Sequence, residues 1–314
     1  LLDTTLGADA QLSKRDVAGI SNIAYVTEGF TVNSGATFTI DPGVVIKFPV
    51  NYYQGLITGE GAIVAIGTAE EPIIFTSIRD DSRGGDTNID GNESVPDKGN
   101  WRGLQFGEST MQSHLQHCQI RYSGSATGGT YEYGTITSTN NNLLVEDCVF
   151  QLVSGYGFGV YGTSTATFRN NKLENVTNSP VVMDVFSDPT FEGNTLENVD
   201  NIRILLREQT LSQSATLPFR SFAGYDSITY SMATWSGNGL TVNSGTKITV
   251  PAGMVFKSRS SYPIFTVNGE LHIAGEIDNP VVFTDERDDD FGNPRDTYQD
   301  GPPTAALGRG GVDI

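Results

Sequence analysis

The sequence predicts an all-β parallel solenoid that runs through residues 1–314 as one continuous body. Three observations lead there. First, one short pattern recurs every 23 residues, as LLVEDCVFQLV (143–153), ATFRNNKLENV (166–176) and PTFEGNTLENV (189–199). A period of roughly 20–25 residues suggests coils stacked one on the next. Second, a longer block recurs. FTVNSGATFTIDPGVVIK (30–47) aligns without a gap on LTVNSGTKITVPAGMVFK (240–257), 210 residues later. Third, no window offers a sustained apolar stripe at helical spacing, and the short apolar runs bounded by Asn and Gly read as strands.

Stacking the short copies gives columns. Val145, Phe168 and Phe191 form one apolar file, Phe150, Leu173 and Leu196 a second, and Val153, Val176 and Val199 a third. Cys148, Asn171 and Asn194 run between them, with Glu146, Arg169 and Glu192 in a flanking polar file. Residues 113–123 add an earlier coil, placing Leu115 over Val145, Cys118 over Cys148 and Ile120 over Phe150. Its spacing of 30 residues implies an insertion of about seven, best placed in the Gly- and Tyr-rich stretch 124–134.

The cores Phe168-Arg-Asn-Asn171-Lys-Leu173 and Phe191-Glu-Gly-Asn194-Thr-Leu196 resemble the right-handed parallel β-helix repeat proteins, the group that includes pectate lyases. The resemblance implies a right-handed coil. It also implies an Asn ladder, with each amide bonding to the next coil inside a turn. It implies no activity, because a fold of this kind hosts several.

The long repeat organises the rest. Residues 14–106 are similar to 219–314, with Ala18-Gly19 through Tyr25 pairing more weakly with Ala223-Gly224 through Tyr230. In each copy a first coil with a Pro-Gly or Ala-Gly turn leads to short strands, expected in the first at 44–48, 63–66 and 73–76. An acidic loop follows, beginning at Arg79-Asp80-Asp81 or Arg287-Asp288-Asp289, before strand resumes at 101–106. The short-period coils occupy 113–199, and irregular 202–234 is expected to hold one unit against the next. The chain thus spans about one and a half units of roughly 208 residues. A stack without polar caps invites further pairing. The expected partners are further repeats of a longer chain or other copies end to end.

The formal net charge is −18, with 36 Gly and few charged residues. That excludes a general nucleic-acid binder, which needs a basic footprint. It also disfavours broad binding of polyanionic sugars without bound cations. No apolar run is long enough for membrane insertion, and no signal peptide is recognisable. The expectation is a mature or excised piece of a secreted or cell-surface protein. Cys118 and Cys148 lie in equivalent places on neighbouring coils. Two readings stay open: a disulfide, since parallel strands sit about 4.8 Å apart, or stacked buried thiols.

The candidate sites begin with Ca2+. Asp86, Asn88 and Asp90, followed by Gly91, have the spacing at which oxygens converge on a hard cation. Asn92 offers a backbone carbonyl, and Asp97 stands at the twelfth position, where bidentate closure calls for Glu. The second copy keeps Asp296 and Asp300 but has Tyr298 between them. For catalysis, hydrolysis needs two carboxyls about 5–10 Å apart. Glu146 and Glu192 lie two coils apart with Arg169 between, which reads as a charge-compensated outward ladder. Asp147, Arg169 and Asp184 match a lyase's residue types without a distinguishing spacing. His117 is expected to pair with Asp147. Tyr131, Tyr133 and Trp101, with Tyr52, Tyr53, Tyr156 and Tyr161, form an aromatic set with two open readings, packing along the coil edges or stacking on glycan. The function expected is a non-catalytic scaffold, an adhesin or stalk-like repeat segment stabilised by calcium. The alternative is a polysaccharide-binding module or a polysaccharide lyase or hydrolase.

Overall fold

The computed structural model describes residues 5–58, 60–124, 134–232, 239–258, 263–301 and 312–313, with the backbone alone at 51–54, 56–58 and 312–313. Every strand pairing among the named strands is parallel, and no helix occurs among the described residues. Each coil contributes one strand to each of three faces. The first face is a single sheet of eleven strands. The second face consists of a seven-stranded and then a four-stranded sheet, and the third of a seven-stranded and then a three-stranded one. The apolar files point inward and bury one core along the whole stack.

The short repeat stacks in the expected register. Val145 pairs level with Phe168, and Phe168 with Phe191. Phe150, Leu173 and Leu196 form the second file. Phe168 stacks on Phe158 with centroids 4.1 Å apart, and on Phe191 at 5.7 Å. The Asn ladder is present. Asn194 Oδ1 accepts from Asn171 N–H and Nδ2, each at 3.0 Å, and Asn171 Oδ1 accepts from Cys148 N–H at 3.0 Å. The two Nδ2 groups also donate to the carbonyls of Val145 and Phe168. Each amide thereby satisfies backbone groups that the turn removes from the ladder, which matters because an unpaired buried group costs about 1–3 kcal/mol. At the next coil Cys takes over: Cys118 N–H donates to Cys148 Sγ. Both thiols are free and buried, and burial first, then Cys148, pushes the Cys118 thiol well above its usual value.

Other expectations need correction. Glu146 does not face outward; it is buried, because Arg169 and His114 both close on its carboxylate. His114 Nε2, not His117, takes the carboxylate partner, 2.9 Å from Glu146 Oε1. His117 instead sits at a positive-φ turn and bonds through its backbone to Glu146 O. Arg169 ion-pairs with Glu146, while Glu192 lies exposed on the coil beyond.

The two long repeats occupy different faces. Thr31–Val32 lies in the first face, and its equivalent Leu240–Val242 lies in the second. Thr37–Ile40 is in the second and Lys247–Pro251 in the third. Val45–Phe48 is in the third and Val255–Ser258 in the first. Equivalent strands lie twenty-two strands apart in chain order, which is seven coils of three strands and one strand more. The second copy is therefore turned by a third of a revolution about the solenoid axis, at a rise of about 35 Å for strands spaced about 4.8 Å. At the junction only the first face runs through, via Val181–Met183, Ile204–Leu206 and Tyr230–Met232. Thr190–Glu192 and Thr195–Val199 end their sheets, and Gln209–Leu211 and Ala215–Thr216 begin new ones.

Candidate metal centre

The first acidic loop leaves the strand Ile73–Ser77 and returns at Trp101–Phe106. Its root is fixed by Asp80, which is buried: Thr76 Oγ1 donates to it at 2.6 Å, Ser82 Oγ donates at 2.5 Å, and Arg121 lies 3.1 Å away. Further out, Asp86 shapes a tight turn. Its Oδ1 accepts from Ile89 N–H at 2.7 Å and its Oδ2 from Gly91 N–H at 2.9 Å, with Ile89 and Gly91 both at positive φ. A non-Gly residue pays for that conformation, so the Asp86 bonds hold Ile89 there.

This turn brings Asp81, Asp86 and Asp90 together, with one carboxylate oxygen of each within 4.8 Å of the others. Asn88 Nδ2 donates to Asp90 Oδ2 and Ser94 Oγ, and Ser94 Oγ donates to Asp90 Oδ2. Those bonds leave Asp81 Oδ1, Asn88 Oδ1 and Asp90 Oδ1 buried without a hydrogen-bond donor. Of the residues expected from spacing, Asp86, Asn88 and Asp90 meet here. Asn92 is exposed. Asp97 lies outside the cluster, where its backbone N–H donates to Asn100 Oδ1 and its carboxylate accepts from Lys98 N–H.

Sequence spacing missed two participants. Asp81 arrives from the loop's root. Lys47 arrives from the apolar strand Val45–Phe48, is fully buried, and donates from Nζ to Gly85 O at 2.5 Å. Burial pushes its ammonium below the usual value, against the opposing pull of Asp81, Asp80 and Asp86. The signal was in the long repeat: Lys47 and Lys257 close both matched blocks among apolar neighbours.

The second loop repeats the scaffolding with a different centre. Thr284 Oγ1 donates to Asp288, Lys257 donates to Arg295 O, and Gly301 N–H donates to Asp296 Oδ2 at 3.2 Å. Gln299 takes the positive φ of Ile89. Asp300, however, is exposed, and Tyr298 replaces the amide. Asp289 Oδ1 and Asp296 Oδ1 lack donors here. Burial first, then the nearby Asp296, pushes the Asp289 carboxyl above its usual value.

The glycan and catalytic candidates fare differently. Trp101 is not available to a sugar: it is fully buried, stacked on Phe48 at 4.2 Å, with Nε1–H bonded to Arg121 O. Its place in a strand of the first face points it inward. Tyr156 and Tyr161 are also buried. Tyr131 and Tyr133 lie outside the described residues. Asp184 is held by Arg207 and by Gly162 N–H, whereas Arg169 is held by Glu146, so Asp147, Arg169 and Asp184 form no common group. A cleft of about 890 Å³ does lie beside the open edge of Thr195–Val199, lined by Asn198, Asp200, Asn201, Tyr225, Tyr298 and Gln299 among others.

A family model described as a right handed beta helix region matches residues 83–250, more than half of the chain. No curated protein and no solved structure matches significantly.

Proposed function

The chain belongs to the right-handed β-helix family, and from that premise we propose that it is a non-catalytic scaffold segment of a secreted or cell-surface protein, braced by calcium in its first acidic loop. The observation that carries this reading is the set of three buried oxygens without donors, on Asp81, Asn88 and Asp90. Oxygens of that kind, two of them on carboxylates, suit a hard cation that takes six to eight oxygen ligands. Asp86 adds a fourth group at the same point. The bound ion would offset both the repulsion among three carboxylates and the ordering entropy of a long loop. Lys47 brings one positive charge towards these carboxylates, while Arg121 is engaged with Asp80 at the loop's root.

The test is calorimetric titration of the full chain with calcium chloride. One dominant site that is lost in Asp81→Asn with Asp90→Asn supports the reading. Absence of binding at millimolar calcium overturns it.

A second reading, saccharide binding, is favoured by the cleft beside Thr195–Val199. It combines two tyrosines with amides and a carboxylate, and Asn201 Oδ1 is buried there without a donor. Glycan-array binding that Tyr225→Ala abolishes would support it, and an array without signal would remove it.

A further inference from the structure

One hairpin occurs twice in this chain. It spans residues 15–20 in the first long repeat and 220–225 in the second. The backbones match in detail. Val17 and Ile20 exchange both backbone hydrogen bonds at 3.0 Å, and Phe222 and Tyr225 exchange theirs at 3.1 and 2.9 Å. Ala18 and Gly19 have φ of 52° and 82°, and Ala223 and Gly224 have 51° and 86°. Two successive positive φ values match the type I′ hairpin turn. Ile23 N–H donates to Arg15 O, as Ile228 N–H does to Arg220 O. The Tyr25 hydroxyl donates to Ser13 O, and the Tyr230 hydroxyl to Pro218 O.

The surroundings of the two hairpins differ. The second packs on the last short-period coils of the first unit. Phe222 is 1% exposed there, edge-on to Phe191 at 5.0 Å and to Phe158 at 6.3 Å. Arg220 donates to the carbonyls of Ser187 and Pro189 and pairs with Asp188. An aromatic wedge and a guanidinium fork thus join two units where two of the three faces have no continuous sheet. In the first hairpin the equivalent Val17 and Ile20 are 48% and 59% exposed, and Arg15 is exposed as well.

We infer that the 15–20 hairpin is a docking latch for the final coil of another copy of the same unit, one that precedes the first. Val17 would seat against the aromatic ring at the Phe191 position, and Arg15 would take the turn carbonyls at the Ser187 and Pro189 positions. The occupant is identified by the junction inside this chain, where the same hairpin is seated on that surface. The apolar pair and the arginine fork together match a surface that offers a ring and outward carbonyls. This deepens the scaffold reading and rests on it. Each added unit would step round by a third of a turn, so that successive latches follow a screw.

The test places a thiol at Val17→Cys in the full chain, and in a chain with residues 1–205 duplicated ahead of it. The native thiols are buried. Labelling of Cys at 17 should be fast in the first chain and at least tenfold slower in the second. Equal rates in a second chain that melts cooperatively would overturn the latch. As an independent arm, Arg220→Ala with Phe222→Ala in the 314-residue chain should speed amide exchange in residues 204–232. Unchanged exchange would show that the hairpin does not hold the junction, and would overturn the proposal too. Both arms are read in chelator, so that a failed calcium site leaves the outcome unaffected.

Discussion

The two copies of the long repeat share their backbone framework and differ in what the framework encloses. Both acidic loops are rooted by a Thr–Asp pair, anchored by a buried Lys and turned by an Asp that caps a Gly. Only the first gathers Asp81, Asp86 and Asp90 around one point among the described residues. In the second, Tyr298 stands where Asn88 stands and Asp300 turns to solvent. The anchor is therefore a property of the repeat, while the candidate ion site belongs to one copy. The hairpins give the same lesson at the other end of the unit, where one geometry is buried in one copy and exposed in the other.

The largest expected effect separates the hairpins. Phe222→Ala should cost about 3–5 kcal/mol in unfolding free energy, the usual range for a buried aromatic. Val17→Ala, at its exposed counterpart, should stay within about 0.5 kcal/mol. Denaturant melts of both variants check this, and similar costs would break the contrast.

Next come the loops. Saturating calcium at about a hundred times its dissociation constant should stabilise the chain by about 2.7 kcal/mol. Asp90→Asn should abolish most of that gain and Asp300→Asn little of it, as read from thermal midpoints in calcium and in chelator.

The Asn ladder should matter somewhat less. Asn171→Ala removes the acceptor of Cys148 N–H and the donor to Val145 O in a fully buried turn. It should cost about 1–3 kcal/mol. Asn198→Gly, which keeps the φ of 52° accessible and removes an exposed side chain making only a 3.4 Å contact with Asn175, should be nearly neutral. Equal costs in urea melts would contradict the ladder's role.

The smallest effect is the pH dependence of Glu146. Burial alone would raise its carboxyl, but the hydrogen bonds from Arg169 and His114 outweigh it and hold the group below the usual 4.5. A carboxylate depressed on folding contributes stability above its unfolded value and loses it as pH falls through its folded one. The midpoint difference between the chain and Glu146→Gln should therefore be full at pH 6 and shrink below about pH 4. A constant difference would show that the ion pair does not contribute to stability.

Much of this fold is legible in the sequence because it is local and periodic. The files through Val145, Phe168 and Phe191 and through Cys148, Asn171 and Asn194 need only a 23-residue count. The Asp86–Asp90 turn is legible for the same reason. What escapes is set by distant partners. Lys47 reaches Gly85 across 38 residues, and Glu146 is buried by His114 from the coil before and Arg169 from the coil after. Trp101 looks like a loop aromatic, yet the strand that starts with it turns its ring onto Phe48. The third-of-a-turn offset was hidden because coils of unequal length conceal how many strands 210 residues contain.

Amide hydrogen exchange on the full chain, in calcium and in chelator, tests the central contrast most directly. Calcium-dependent protection is expected across residues 79–100 and much less across 287–301. Equal protection of both loops, or none in either, would contradict a cation site built in one copy on an anchor shared by two.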